Sequence, residues 1–193
     1  MKDQTGREID YMRISITDRC NLRCKYCMPG DIETTDMANL LTYEEIVKVT
    51  ETAVSLGIRH IRLTGGEPLV RRGCVDLVKK IKNVSGIETV GMTTNGVLFA
   101  GYAKALKEAG LDSVNVSLDT LDETEFQRLT GRDELKAVLA GIDAAKEVKI
   151  PVKINTVHYQ HLDWKSILDY TNRMQIPVRF IEMMPIGYGA AYT

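Results

Sequence analysis

Three cysteines in one short stretch are the residues of this sequence best suited to chemistry. Cys20, Cys24 and Cys27 have the spacing C-x-x-x-C-x-x-C and follow a strand-like run over 11–17. Thiols this close together can ligate one metal cluster. An iron–sulfur cube normally takes four thiolates, one for each iron, so three local cysteines leave one iron with an open position. An open position is typical of a catalytic metal site rather than of a structural one.

Two other roles for these cysteines remain open. A structural zinc site needs four protein ligands, and only Cys74 and three dispersed histidines remain to supply the fourth. A disulfide is less favoured, because the polar start of the chain is not a secretory signal and a chain of this size does not need covalent cross-links. We therefore prefer the cluster and keep zinc as the alternative.

Composition limits the other possibilities. The chain has 193 residues, of which 44% are hydrophobic, and this predicts one domain over 1–193 with its own core. The formal net charge of −1 predicts no nucleic-acid or membrane partner. No apolar run approaches the ~20 residues of a membrane span. We expect a cytoplasmic protein, because thiols stay reduced in that compartment.

Strand-like and helix-like segments alternate six times along the chain, which predicts an α/β fold with a parallel sheet and helices outside it. The predicted strands are 11–17, 59–64, 87–93, 113–118, 152–157 and 178–184. The predicted helices run from the capping box at Thr42 to Gly57, and over 73–83, 97–109, 122–129, 134–148 and 163–174. In the first helix we expect the apolar residues Ile46, Val49, Ala53 and Leu56 to face the core.

The strands alternate between an apolar face and a polar face. The polar face carries Arg13, Ser15, Thr17, Arg62, Thr64, Thr93, Asn95, Asn115, Ser117, Asp119, Lys153 and Asn155. If the apolar face meets the helices, the polar face lines the concave side of the sheet. An antiparallel sheet with a solvated polar face would give the same alternation, but the intervening helices disfavour it. We therefore predict a partial, six-stranded (β/α)6 parallel barrel with a polar interior.

Three cations fall on this predicted inner face, namely Arg13, Arg62 and Lys153. Burying an unpaired cation is costly, so three converging cations require an anionic partner. Asp119, Glu67 or Glu182 could provide it. A bound polyphosphate is a better candidate for this partner, because arginine and lysine bind phosphates with charge-assisted hydrogen bonds.

The motif Thr64-Gly65-Gly66-Glu67-Pro68 follows the second predicted strand. Glycines at the carboxyl end of a barrel strand let backbone groups approach a ligand closely. A Gly-Gly pair is also common in simple turns. Asn95 lies at a similar strand end, in an Asn-Gly pair that either forms a turn or reaches a bound nucleoside.

The cysteine motif, with an aromatic residue before its last cysteine, resembles the signature of the radical S-adenosylmethionine (SAM) enzymes. The stretch 13–29 is similar to that of one branch, the molybdenum-cofactor biosynthesis protein A or GTP 3′,8-cyclase family. The resemblance extends over nearly the whole chain but covers only the N-terminal part of the family's usual length. The fold known for radical SAM enzymes is also the partial barrel predicted above.

The resemblance implies one 4Fe-4S cluster on Cys20, Cys24 and Cys27, with SAM at its open iron. The positions that match SAM contacts are Tyr26, Gly66, Glu67, Ser117 and Met184. The positions that match GTP contacts are Arg13, Arg62, Thr93 and Lys153. Other roles remain open for three of these side chains: Tyr26 could only pack the loop, Ser117 could be a small polar residue of the interior, and Met184 could fill a core gap.

The implied activity is radical chemistry on GTP. Reductive cleavage of SAM gives a 5′-deoxyadenosyl radical, which removes the C3′ hydrogen of GTP in the first step of molybdenum cofactor biosynthesis. An electron donor such as a flavodoxin or a ferredoxin is implied as a partner.

The family's C-terminal region, with three more cysteines for a second cluster, is absent from this sequence, which has one spare cysteine. We therefore expect SAM cleavage from this chain but not complete cyclisation. Two alternatives remain: a radical SAM enzyme acting on another substrate such as a peptide, and a non-catalytic metal-binding or assembly domain.

Overall fold

The computed structural model describes residues 2, 4–28, 34–159, 162–185 and 187–191. Pro29, within the stretch that resembles the cyclase family, lies outside these ranges. The strands are β1 (Tyr11–Ser15), β2 (His60–Thr64), β3 (Thr89–Thr94), β4 (Ser113–Ser117), β5 (Val152–His158) and β6 (Val178–Glu182). The helices are α1 (Tyr43–Ser55), α2 (Cys74–Lys82), α3 (Phe99–Glu108), α4 (Glu123–Thr130), α5 (Leu135–Glu147) and α6 (Trp164–Met174). Short 3-10 turns cover Met37–Asn39, Pro68–Val70 and Gly187–Ala191.

All six strands are parallel and lie in one sheet in the order β1-β2-β3-β4-β5-β6. Consecutive strands are therefore neighbours, and a helix follows each of the first five strands. Within the described ranges, β1 and β6 do not pair with each other, so the barrel is incompletely closed. The predicted partial (β/α)6 barrel is confirmed. The first and last strands are each two residues shorter than predicted.

The start of α1 follows from its sequence. The Thr42 hydroxyl accepts a hydrogen bond from the Glu45 amide at 3.2 Å, and the Glu45 carboxylate accepts one from the Thr42 amide at 2.7 Å. This reciprocal arrangement satisfies two amides that the helix leaves unpaired.

The buried face of α1 differs from the one predicted. Ile46 and Ala53 are buried as expected, but Val49 is 44% exposed and Leu56 is 56% exposed. Thr50 occupies the buried stripe instead, with its hydroxyl bonded to the Ile46 carbonyl at 2.9 Å. A polar residue fits there because its hydrogen bond is satisfied inside the helix.

The core lies between the sheet and the helices, as the alternation predicted. Its strand side chains, which are almost completely buried, are Ile61, Leu63, Val90, Met92, Val114, Val116 and Ile154. They pack against helix residues such as Leu77, Ile81, Leu106, Val138 and Ile142. Because β2 to β5 use one face in this way, their opposite face is left to line the interior of the barrel.

Register places the polar residues of the interior in rows. One row joins Arg13, Arg62, Gly91 and Ser113 across β1 to β4. A second row joins Thr93, Asn115 and Lys153. A third row joins Ser117, Asn155 and Arg179 near the carboxyl ends of β4 to β6.

Among the described helices, none combines the length and the apolar composition of a membrane-spanning segment.

Candidate active site

The cysteine motif forms a loop at the carboxyl end of β1. The Cys24 carbonyl accepts hydrogen bonds from the amides of Cys27 at 3.0 Å and Met28 at 2.8 Å, so the second half of the loop is a tight helical turn. Cys20 and Cys24 are half-buried and Cys27 is exposed. In the part of the chain that the structure describes, no three His, Cys, Asp or Glu side chains are gathered closely enough to hold a single metal ion.

Burial nevertheless shifts the pKa values of all three thiols in the same direction. Burial raises the pKa of Cys24 to about 12, and the charges of Asp119, Cys20 and Cys27 add to this effect. Burial also raises the pKa of Cys20 and of Cys27. Burial therefore favours the neutral form of all three thiols. A bound metal deprotonates them, because coordination outweighs the cost of the buried charge.

The surroundings of Cys20 suit a metal-bound sulfur. The Leu22 amide lies 3.4 Å from its Sγ, and the Asn95 side-chain amide lies 3.6 Å away. Hydrogen bonds to the sulfurs help to set the properties of iron–sulfur clusters. Three soft sulfur donors in one loop, with N–H groups directed at one of them, fit a cluster of the iron–sulfur type.

Two backbone hydrogen bonds attach the cysteine loop to the end of helix α4. The amides of Arg23 and Lys25 donate to the carbonyls of Thr130 at 2.8 Å and Leu129 at 2.9 Å, in the last turn of α4. These carbonyls are ones that a helix end leaves unpaired, so the loop completes the helix and the helix fixes the loop. Nothing in the sequence pattern indicated this contact, because the partners are more than a hundred residues apart.

Tyr26 and Asp119 provide a second attachment of the loop. The Tyr26 hydroxyl donates to one carboxylate oxygen of Asp119, and the Val157 amide donates to the other at 2.8 Å. Burial raises the pKa of Asp119, while its two hydrogen-bond donors oppose that rise. Asp119 was one of the anionic partners considered for the inner-face cations. Its oxygens instead join the cysteine loop to the ends of β4 and β5.

Asn95 provides a third attachment of the cysteine loop. Its side-chain amide donates to the Asn21 side chain at 2.8 Å, and its side-chain oxygen accepts from the Val97 amide at 3.1 Å. Asn95 therefore forms the turn that was one of the two roles considered for it. Its side-chain amide contacts the cysteine loop, and its backbone amide donates to Glu67.

Gly65 and Gly66 let the backbone before Cys20 pack directly against the end of β2. The Gly66 amide donates to the Thr17 carbonyl at 2.7 Å, and the Glu67 amide donates to the Arg19 carbonyl at 2.8 Å. A Cβ at position 66 would lie 2.7 Å from the Arg19 carbonyl carbon and 2.8 Å from the Asp18 oxygen. Gly65 has a φ of 142°, which other residues rarely adopt. The two glycines thus allow residues 17–19 to pack closely against the end of β2. This role is additional to any close contact with a ligand.

The Glu67 side chain is fully buried, with 0% of its surface exposed. One carboxylate oxygen accepts from the Leu69 amide at 3.1 Å and the Thr94 hydroxyl at 2.8 Å, and the other accepts from the Asn95 amide at 2.7 Å. Burial raises the pKa of Glu67, and these donors counteract that effect. The side chain therefore joins the ends of β2 and β3, and both of its oxygens are occupied by protein donors.

We expect Glu67→Gln to lower the free energy of unfolding by about 1–3 kcal/mol, because the new amide group would face a donor and leave a buried polar group unsatisfied. Thermal or denaturant unfolding measures the loss. The matched control is Glu44→Gln, which removes one carboxylate of an exposed ion pair with Lys80 and should change stability little. Equal stability of the Glu67→Gln and wild-type proteins would contradict the role of this carboxylate.

The inner-face cations have no acidic partner among the described residues. Arg62 donates to the Met92 carbonyl at 3.0 Å and to the Ser113 hydroxyl at 3.3 Å, which are both neutral. The side chains of Arg13 and Lys153 form no hydrogen bond or ion pair within the described part of the chain. Thr93 lies on β3, in the same row as Lys153 and two strands away from it. The interior is thus suited to an anionic ligand.

A cavity of about 340 Å³ adjoins the cysteine loop. Its lining includes Tyr26, Cys27, Ile181, Met183 and Met184. Met184 is 63% exposed, whereas Met183 is buried in a small cluster with Leu129, Tyr159 and Leu162. The structure therefore brings two of the predicted SAM-contacting residues, Tyr26 and Met184, to one cavity beside a predicted cluster ligand.

Ser117 lies at the carboxyl end of β4, on the row that continues to Asn155 and Arg179. The side-chain oxygen of Asn155 is buried and has no hydrogen-bond partner among the described residues. A buried acceptor without a partner is costly, and a bound donor removes that cost. Asn155 was predicted only as a polar interior residue, and the structure adds it to the candidate ligand contacts beside Ser117.

The family described as the Radical SAM superfamily matches residues 14–174. The GTP 3′,8-cyclase of Petrotoga mobilis is 48% identical over 192 residues, which cover 97% of this chain and 59% of that protein. The GTP 3′,8-cyclase of Clostridium perfringens strain SM101 is 48% identical and is covered to 61% of its length, with 100% of this chain. The chain thus spans about three fifths of the curated relatives it matches.

Solved structures agree with the fold. The Streptococcus suis SuiB structure bound to S-adenosylmethionine superposes with a TM-score of 0.80 over 93% of this chain and 42% of that one, at 19% identity. The anSMEcpe structure with bound AdoMet gives a TM-score of 0.73 over 90% of this chain and 52% of that one, at 18% identity. The matched domain, the cysteine loop and the parallel barrel together give one conclusion: the chain belongs to the radical SAM superfamily.

Proposed function

We propose that this chain is the SAM-cleaving and GTP-binding core of a GTP 3′,8-cyclase, which acts in the first step of molybdenum cofactor biosynthesis. The observation that carries the proposal is the pair of cations Arg13 and Lys153, whose side chains have no partner among the described residues and which lie on the barrel whose end holds the cysteine loop. The 48% identity with curated cyclases supports the choice of GTP among possible anionic substrates.

In this proposal Cys20, Cys24 and Cys27 hold a 4Fe-4S cluster, and SAM occupies the cavity beside Cys27. Bound there, the cluster and SAM would supply one-electron chemistry that removes a hydrogen atom from the substrate. The SAM contacts proposed are Tyr26, Gly66, Glu67, Ser117 and Met184. For Tyr26 and Glu67 the proposed contact is made by the backbone carbonyl, because both side chains and the Glu67 amide are engaged with protein groups.

The barrel interior orients the substrate. Arg13, Arg62 and Lys153 bind the triphosphate with charge-assisted hydrogen bonds, and Thr93 provides a neutral contact beside them. Holding the nucleotide by its phosphates fixes the ribose relative to the radical source, so that the C3′ hydrogen is presented in one geometry. The partial barrel also limits the access of water and of other hydrogen donors.

Complete cyclisation is proposed for the whole protein rather than for these residues alone. The four cysteines of this sequence suffice for one cluster on Cys20, Cys24 and Cys27, with Cys74 remaining. Cys74 is the first residue of α2 and is buried. For the residues described, the proposed function is SAM cleavage and GTP binding.

Reductive SAM cleavage consumes an electron, so an external donor such as a flavodoxin or a ferredoxin is part of the proposal. We place the protein in the cytoplasm, where the thiols stay reduced and GTP is available. The formal net charge of −1 gives no support for a nucleic-acid or membrane partner.

The test is anaerobic reconstitution with iron and sulfide, followed by reduction in the presence of SAM, with and without GTP. We expect 5′-deoxyadenosine, measured by mass spectrometry, to form and to increase when GTP is added. Lys153→Ala should lose the response to GTP, whereas Lys136→Ala, which alters an exposed ion pair on α5, should keep it. Formation without any response to GTP would point to another substrate, such as a peptide. A colourless, inactive protein that retains zinc would support a structural metal site.

A further inference from the structure

Arg62 is held in an unusual way for an inner-face arginine. It lies on β2 in a row with Arg13, Gly91 and Ser113, and its side chain is half-buried. Instead of extending into the open interior, its guanidinium lies across β3 and reaches the first residue of β4. Two neighbouring strands therefore determine where the charge is placed.

Gly91 creates the space for this arrangement. A Cβ built on Gly91 would lie 2.7 Å from Nη2 of Arg62, 2.8 Å from its Cζ and 3.0 Å from the Ser113 hydroxyl. The guanidinium thus sits directly over the bare backbone of β3. Gly91 is not among the glycines with positive φ, so its backbone does not require glycine. Glycine in the interior of a strand weakens the strand and often marks a close approach, which here is the approach of Arg62.

The hydrogen bonds fix the orientation of the group. Nη1 donates to the Met92 carbonyl at 3.0 Å, and Nη2 donates to the Ser113 hydroxyl at 3.3 Å. A guanidinium has five N–H donors in a rigid plane, so three donors remain for a ligand. A planar group that is already oriented loses little freedom when it binds an oxyanion with two parallel hydrogen bonds.

We propose that Gly91 and Ser113 are positioning residues that hold the guanidinium of Arg62 ready for a phosphate group of the substrate. This inference rests on the proposed function, because it takes the anionic ligand of the barrel to be a polyphosphate such as GTP. Gly91 contributes space and Ser113 contributes a hydrogen-bond acceptor. Neither residue needs to contact the ligand itself.

The first test measures GTP affinity at equilibrium for the reconstituted protein and its variants. Gly91→Ala should weaken GTP binding by about tenfold or more, the scale of one charge-assisted hydrogen bond, and Ser113→Ala should weaken it by less. SAM affinity should stay unchanged in both. The matched control is Gly101→Ala on α3, where an added Cβ meets nothing within 4 Å, and it should bind GTP normally.

A double-mutant cycle separates positioning from general damage to the fold. In the Arg62→Ala background, adding Gly91→Ala should cause no further loss of GTP affinity, because the glycine acts only through the arginine. Equal losses from Gly91→Ala with and without Arg62 would overturn the inference. So would normal GTP affinity in both the Gly91→Ala and Ser113→Ala variants.

A second measurement does not depend on GTP. In protein labelled with ¹⁵N-arginine, hydrogen-bonded Nη groups rotate slowly and should give resolved NMR signals, assigned to Arg62 by their loss in Arg62→Lys. These signals should merge in Gly91→Ala and in Ser113→Ala but not in Gly101→Ala. Resolved signals in a protein that does not bind GTP would contradict the proposed function but not the positioning. Merged signals in the wild type would contradict the positioning itself.

Discussion

Cys24→Ala is expected to abolish both the brown colour of the reconstituted protein and its cleavage of SAM. Cys24 is the middle ligand of the loop, and its carbonyl also holds the turn that carries Cys27. Removing its thiol leaves two local ligands, which are too few to keep a cube with one open iron. Ultraviolet–visible absorption, iron content and 5′-deoxyadenosine formation measure the three consequences separately.

Cys74→Ala is the matched control for this prediction. Cys74 is the only other cysteine of the chain, it is buried, and burial raises its pKa to about 12, so its thiol is an inert packing group. This variant should retain colour and cleavage, with a small loss of stability. If Cys24→Ala retained SAM cleavage, or if Cys74→Ala lost the cluster, the assignment of the ligands would be wrong.

Gly66→Ala is expected to destabilise the protein and to impair loading of the cluster. The new Cβ would collide with the backbone of residues 18 and 19, which cannot move aside as a flexible side chain could. Strain of this kind costs about 1–3 kcal/mol and displaces the elements involved. Here the displaced element leads directly into Cys20, so we expect a lower melting temperature together with poor cluster loading.

Gly101→Ala controls for the chemistry of the substitution, because the exposed position on α3 has room for a methyl group. It should equal or slightly exceed the wild type in stability, since alanine favours helix more than glycine does. A Gly66→Ala protein that loads its cluster and melts like the wild type would show that the loop can approach β2 in another way. The close packing seen at the end of β2 would then have no functional importance.

The general architecture could be predicted from local patterns. Alternation of polar and apolar residues on the strands, separated by helix-forming segments, was sufficient to predict the parallel sheet and the incompletely closed barrel. The capping box at Thr42 likewise gave the start of α1. These features depend on residues close together in sequence, and a strand or helix responds mainly to such neighbours. The error at Val49 and Leu56 arose because helical spacing alone does not determine how wide the buried stripe of a helix is.

The candidate site was predictable in its members but not in their contacts. The motif identified the three cysteines, and the alternation placed Arg13, Arg62 and Lys153 on one face. The sequence could not indicate that Glu67 is enclosed by protein donors, or that Asp119 binds Tyr26 instead of a cation. These contacts join residues from different strands and loops, and their geometry depends on the folded chain.

The sequence by itself determined the residue types available for chemistry: three thiols in one loop, cations on the inner face, and glycines after β2. Only the tertiary structure decided what holds them in place. Helix α4 and Asp119 fix the cysteine loop, residues 17–19 require the bare backbone of Gly65 and Gly66, and Gly91 makes room for Arg62. The physical reason is that close packing and hydrogen-bond satisfaction are properties of neighbours in space, and the chain brings these neighbours together only when the sheet has formed.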